Sequence, residues 1–232
     1  MVTPAVGCLY RSVEKKMRVL IADDHEIVRR GLQGILKDAF EDIEVVEAKT
    51  AEEALEKIRD ADFDVVVLDI SMPGRSGLDA LKEIKKDRPN LPVLVLSIHP
   101  EEQFATRVLK AGAAGFIRKE AATSVLVNAI NKVRGGGKYV SEQLAEKLAL
   151  DLEREADGVE LHQRLSDREY EVLLLIAAGL TITQIAEKLS LSVKTISTYR
   201  SRILEKTNLK NNADLIRYAI AHGLIDGMEE QT

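Results

Sequence analysis

Val65-Val66-Val67-Leu68-Asp69 is an apolar, largely β-branched run that ends on a carboxylate. A strand with no polar alternation is buried on both faces, which is the signature of a parallel sheet covered by helices. The earlier run Val19 to Ala22 ends the same way, on Asp23-Asp24. If the two strands lie side by side, three carboxylates meet at one sheet edge, where ligand sites of open α/β sheets form. Such a cluster repels itself and persists only where a divalent cation or chemistry offsets the cost.

Outward from this pair, apolar runs recur at Ile43 to Ala48, Val93 to Ser97 and Ala114 to Ile117. Helical patterns such as Glu26 to Lys37, Glu52 to Arg59 and Leu78 to Lys86 separate them. The alternation predicts five βα units in a doubly wound parallel sheet over residues 17–135. Gly135-Gly136-Gly137 interrupts it, because glycine is costly inside a helix. Residues 136–162 read as a linker whose helix, Ser141 to about Ala156, carries Leu144, Leu148 and Leu152 as one seam for docking against a domain. From 163 to 226 only helices are expected. Ser166 with Glu169 forms a capping box, Gly179 stops the helix that ends at Ala178, and a short helix turns inward Ile185, Ala186 and Leu189. Ser192 caps a longer helix from Val193 to Lys206, and a last one covers Ala213 to Ala221.

The 232 residues are 45% hydrophobic, enough for a core in each of two domains. With 33 basic and 38 acidic residues the net charge is −5, so any nucleic-acid surface must be local. The one cysteine, Cys8, excludes an internal disulfide and a cysteine zinc site, which favours the cytoplasm. No apolar run has the length of a membrane span or of a signal core, and residues 1–16 read as a tail before Met17. The four histidines lack metal-ligand spacing and read as surface or capping residues.

Beside the acidic edge stand Ser97, ending the fourth strand, and Lys119, two residues past the fifth. Three acids, a hydroxyl and an ammonium suit phosphoryl chemistry with a hard cation. Asp23-Asp24, Asp69 with Met72-Pro73-Gly74, Ser97 and Lys119 resemble the receiver domain of two-component response regulators, a flavodoxin-like fold. The resemblance implies that Asp69 accepts phosphate from a histidine kinase and that Asp24, Asp69 and the Ser71 carbonyl hold Mg²⁺, with Asp23 assisting through water. It further implies that Ser97 swings toward the acyl phosphate, Lys119 pairs with it, and Phe116 rotates inward as the aromatic switch. Two departures stand out. Glu120 replaces the proline that often follows the lysine, which makes a cis bond there unfavourable, and Phe116 lacks a tyrosine hydroxyl.

The Val193 helix carries an apolar stripe, Val193, Ile196, Ile203 and Leu204, opposite Lys194, Thr198, Ser201, Arg202 and Glu205. Between Lys188 and Lys210 the chain is locally +5, which points to phosphates. A short helix, a tight turn and a longer polar-faced helix make a helix-turn-helix. Leu165-Ser166-Asp167-Arg168-Glu169, Gln184 to Leu189 and Ser192 to Ile196 resemble the LuxR-type domain, and with a receiver the chain resembles the NarL/FixJ class. By that resemblance Lys194, Arg200, Arg202 and Lys206 hold phosphates while Ser197, Thr198 and Ser201 reach base edges. Phosphorylation would re-pack the face around Phe116 and then either favour dimerisation or release the DNA-binding domain, with a homodimer on double-stranded DNA, RNA polymerase as a further partner and no membrane.

Other functions fit less well. A dinucleotide enzyme needs glycines where Asp23-Asp24-His25-Glu26 stands. An aspartyl phosphatase carries Asp-x-Asp, whereas this chain has Asp69-Ile70-Ser71. A LuxR-type ligand receptor needs an aromatic-lined pocket, and aromatics make up only 4% here, with no tryptophan.

Overall fold

The computed structural model describes residues 16–98, 101–146 and 160–225. Strands β1 (Met17–Ala22), β2 (Ile43–Ala48), β3 (Val65–Asp69), β4 (Val93–Ser97) and β5 (Gly115–Arg118) form one parallel sheet in the order β2-β1-β3-β4-β5. Helices α1 (Glu26–Ala39), α2 (Ala51–Asp60), α3 (Gly77–Asp87), α4 (Glu101–Lys110) and α5 (Ala122–Arg134) cover it. Strand order reverses between β1 and β3, whose register pairs Ala22 with Leu68. Asp23 and Asp69 therefore leave the sheet as neighbours, at the crevice where such folds hold ligands.

Each strand feeds two cores because successive side chains point to opposite faces. Val19, Ile21, Val65 and Val67 pack with Leu32 and Leu36 of α1 and Leu126 and Ile130 of α5. Leu20, Val66, Leu68 and Val95 pack with Leu55 of α2, Leu81 of α3 and Val108 of α4. Gly77, the first residue of α3, is fixed by close approach: a Cβ there would lie 2.0 Å from the Asp69 carbonyl oxygen. Gly77→Ala is expected to lower the unfolding free energy by about 2 kcal/mol, read from urea denaturation, because that contact is with rigid backbone.

The C-terminal part folds as α6 (Asp167–Ala177), α7 (Ile182–Lys188), α8 (Val193–Thr207) and α9 (Asn212–Ala221). The Ser166/Glu169 capping box is present, and Gly179 adopts φ +85° past the end of α6. Ile185, Ala186, Leu189, Ile196 and Ile203 are buried together, while Leu204 packs against them half-buried. Val193 departs from the expected packed stripe and is 48% exposed, since it is the first residue of α8 and projects beyond the neighbouring helices. The linker is helical over residues 142–146 with Leu144 buried, while Leu148 and Leu152 lie outside the described residues. All eleven residues of α6 are buried, including Asp167, Arg168, Glu169 and Glu171. The α2–α4 core continues without a break into α6 through Phe104, Leu165 and Tyr170.

Candidate functional site

At the β1/β3 edge, donor atoms of Asp23, Asp24, His25 and Asp69 all lie within 4.8 Å of one another. Asp23 and Asp69 are fully buried. Lys119 Nζ sits 2.6 Å from Asp23 Oδ2 and 2.7 Å from Asp69 Oδ2, while the Ser71 backbone N–H donates to Asp69 Oδ1 at 2.9 Å. His25 sits at the N-terminus of α1, and its backbone N–H donates to Asp23 Oδ1 at 2.7 Å. Its ring, 62% exposed, brings Nδ1 to 2.8 Å from Asp24 Oδ1, so it is a surface residue that also joins the acidic cluster. Ser97 is buried at the end of β4, and Phe116 is buried at 2% exposure in β5. No cis peptide occurs among the described residues, so the bond between Lys119 and Glu120 is trans.

Burial raises the pKa of Asp69 above the ordinary carboxylate range, Lys119 opposes the shift, and Asp23 adds to it. Burial opposes the charged form of Lys119, yet Asp69 and Asp23 outweigh it and raise the Lys119 pKa. The ammonium is therefore held charged between two carboxylates that repel each other. Asp23 Oδ2 and Asp24 Oδ1 are sealed from solvent, faced by the Lys119 ammonium and the His25 ring, and Ser71 Oγ is sealed beside them. Three carboxylates gathered around one ammonium at a sheet edge are a donor set that suits a hard divalent cation. A cleft of about 370 Å³ reaches the pocket past Asp24, Ser71 and Lys119.

The second candidate surface is α8. Lys194, Ser197, Thr198, Ser201 and Arg202 are exposed on it. The hydroxyls of Ser197, Thr198 and Ser201 donate to the carbonyls of Val193, Lys194 and Ser197, and each oxygen keeps its capacity to accept. Two cations of the predicted set are already engaged: Arg200 Nε–H donates to Asn212 Oδ1 at 2.6 Å, and Lys206 pairs with Glu169 at 2.6 Å. No helix among the described residues is long and apolar enough to cross a membrane.

Residues 19–131 match the response regulator receiver domain family, and residues 163–219 match the family described as bacterial regulatory proteins, luxR family. The response regulator GacA of Pseudomonas viridiflava is 38% identical over 211 residues, covering 90% of this chain and 98% of the relative. The chain is a two-component response regulator. UvrY of Escherichia coli K12, also a response regulator, is 37% identical over 209 residues, covering 90% of this regulator and 95% of that protein. Among solved structures, RcsB of Salmonella enterica serovar Typhimurium bound to a promoter with a beryllium fluoride phosphomimetic matches with TM-score 0.54 and 32% identity, covering 88% of this chain and 97% of that one. A structure of Salmonella typhimurium RcsB gives TM-score 0.59 at 30% identity, covering 89% and 98%. The regulator thus pairs a receiver with a LuxR-type helix-turn-helix domain.

Its two domains are joined by contacts with no local mark in the sequence. Asp167 pairs with Lys82 at 2.5 Å and Arg107 at 3.2 Å, partners 85 and 60 residues away. The Arg107 guanidinium lies 4.0 Å from the Tyr170 ring centroid, and Phe104 meets that ring edge-on at 5.5 Å. His162 is no surface residue: only 12% of its side chain is exposed, and Nδ1 lies 3.0 Å from the Tyr218 hydroxyl. His99 lies outside the described residues.

Proposed function

We propose that Asp69 is the phosphoacceptor of the regulator and that its phosphorylation controls dimerisation and sequence-specific binding to double-stranded DNA. The observation that carries this reading is the meeting of Asp23, Asp24, Asp69 and Lys119 at one sheet edge, where Asp24 and Lys119 line a cleft. A carboxylate oxygen of Asp69 attacks the phosphorus of a sensor histidine kinase's phosphohistidine. The P–N bond breaks, an acyl phosphate forms, and the departing imidazole takes up a proton. Lys119 stays charged and faces the oxygens that gain charge. Asp24, Asp69 and the Ser71 carbonyl would hold Mg²⁺, with Asp23 assisting. When bound, such an ion would offset the carboxylate repulsion and the charge of the transferring group.

The new phosphate adds roughly two negative charges at the edge, which draw Ser97 and Lys119 inward and re-pack the surface around Phe116. A tenfold change in active population requires only about 1.4 kcal/mol of differential stabilisation. The receiver therefore catalyses only its own phosphoryl transfer and dephosphorylation, and acts in the cytoplasm with DNA and RNA polymerase as partners. The domains are a receiver at 17–135, a linker at 136–162 and a DNA-binding domain at 163–226.

Phosphorylation with acetyl phosphate and Mg²⁺, followed by borohydride reduction and peptide mapping, is expected to mark Asp69. A label on any other carboxylate sinks the reading. On the DNA side, Lys194 and Arg202 contact phosphates with Arg200 and Lys206 supporting them, and Ser197, Thr198 and Ser201 face base edges. Arg202→Ala is expected to weaken binding across sequences and to lower the slope of log affinity against log salt by about 1. An unchanged slope in a salt titration would remove Arg202 from the phosphate contacts.

A further inference from the structure

One buried cation of the DNA-binding domain reaches into the receiver. Arg168, in the first turn of α6, is 6% exposed, and its Nη2–H donates to the carbonyl oxygens of Met72 at 3.2 Å and Gly74 at 3.3 Å. Its Nη1–H donates to Glu171 Oε2 at 2.5 Å, which neutralises the guanidinium inside the interface. Met72 and Gly74 belong to the segment between β3 and α3, the chain that leaves Asp69. Ser71, immediately before Met72, donates its N–H to Asp69 Oδ1 at 2.9 Å, and Gly77 at the far end donates to the Ile70 carbonyl at 3.2 Å. The segment is thus held at Asp69, at α3 and, between them, by Arg168 from the other domain. A planar guanidinium with several fixed donors can serve two carbonyls and a carboxylate at once, which an ammonium point charge does less well.

We propose that Arg168 is a positioning residue for the phosphoacceptor site, holding the β3–α3 segment so that the Ser71 carbonyl is presented toward the carboxylates. The inference rests on the phosphoacceptor reading above and extends it across the domain boundary. A loop already ordered loses less conformational freedom when an ion binds, so the DNA-binding domain raises the Mg²⁺ affinity of the receiver. The coupling is reciprocal: ion binding strengthens domain docking by the same factor. The contact leaves the exposed residues of α8 free, so DNA affinity reports independently on whether the C-terminal domain is folded.

The test uses the full chain without phosphodonor. Calorimetric titration with Mg²⁺ is expected to show about fivefold weaker binding for Arg168→Ala, and hydrogen exchange of residues 70–76 should speed up while non-specific DNA affinity stays at the wild-type level. Arg168→Lys keeps the charge and reaches one carbonyl, so it should fall between the two, and it carries the test if Arg168→Ala does not fold. Wild-type Mg²⁺ affinity and exchange in folded Arg168 variants would overturn the proposal. A wild-type chain that binds no Mg²⁺ would instead overturn the site reading on which it rests.

Discussion

Asp69→Asn is expected to abolish phosphate uptake completely while leaving the protein folded and more heat-stable near neutral pH. The two oxygens of Asp69 accept separately from the Ser71 N–H and from Lys119, and asparagine keeps only one of them, so one local hydrogen bond is lost against the relief of charge. It removes one of two fully buried negative charges that share a single ammonium. The sign follows from linkage. The folded pKa of Asp69 is raised above its ordinary 3.8, so its contribution to stability is greatest below that value and is lost as pH rises through the folded pKa. The asparagine variant escapes that loss, and the gap in melting temperature should open above pH 3.8 and widen as pH rises through the folded pKa. Two measurements check it: intact mass after acetyl phosphate and Mg²⁺, and paired melts across pH in chelator. A phosphorylated variant would mean another residue is the nucleophile, and a variant that melts lower at neutral pH would mean that Asp69 stabilises the fold rather than straining it.

The receiver half was legible because its causes are short-range. Runs such as Val65 to Leu68 can only be strands buried on both faces, and a carboxylate ending each of two such runs marks the edge where the chain must turn. The topology then brings Asp23 and Asp69 together, since β1 and β3 pair at the reversal of strand order. Capping chemistry is equally local, and the Ser166/Glu169 box appears where the sequence places it. Helical period is less complete. It assigns Arg200 and Lys206 to α8 and its cations, but Asn212 and Glu169, from neighbouring helices, already hold them through tertiary packing.

What the sequence left hidden is the contact between domains. Asp167, Arg168, Glu169 and Glu171 read as the polar first turn of a capped helix, which is ordinarily solvated. In the folded chain all four are buried because α6 lies between its own domain and the receiver, with Lys82 and Arg107 supplying countercharge to Asp167. An ion pair between residues 85 positions apart has no periodic or spacing signal. The only available hint was density of charge in a helix that is otherwise apolar from Val172 to Ala177, and burial of charge without a partner is too costly to be expected from one helix alone.

Lys119→Met should be the most destabilising single change in the pocket, and Mg²⁺ should reverse much of it. Lys119 is 10% exposed and lies between Asp23 and Asp69, both sealed from water. Methionine fills the stem volume but leaves two buried carboxylates with no countercharge, and breaking a buried pair from one side costs about 3 kcal/mol. Because the folded pKa of Lys119 is raised above 10.5, its stabilising contribution is fully present at neutral pH and would fade only as pH rises through that higher value. The loss in the variant is therefore expected at full size at pH 7 in chelator, and acidification should shrink it as the carboxylates take up protons. A divalent cation binds the folded state alone and stabilises it by mass action, about 2.7 kcal/mol at a hundredfold excess over its dissociation constant. Melting curves with and without millimolar Mg²⁺ check both halves of this claim. If the variant melts like the wild type in chelator, the carboxylates are not mutually repelling anions, and neither an ammonium nor a metal ion is needed to hold them together.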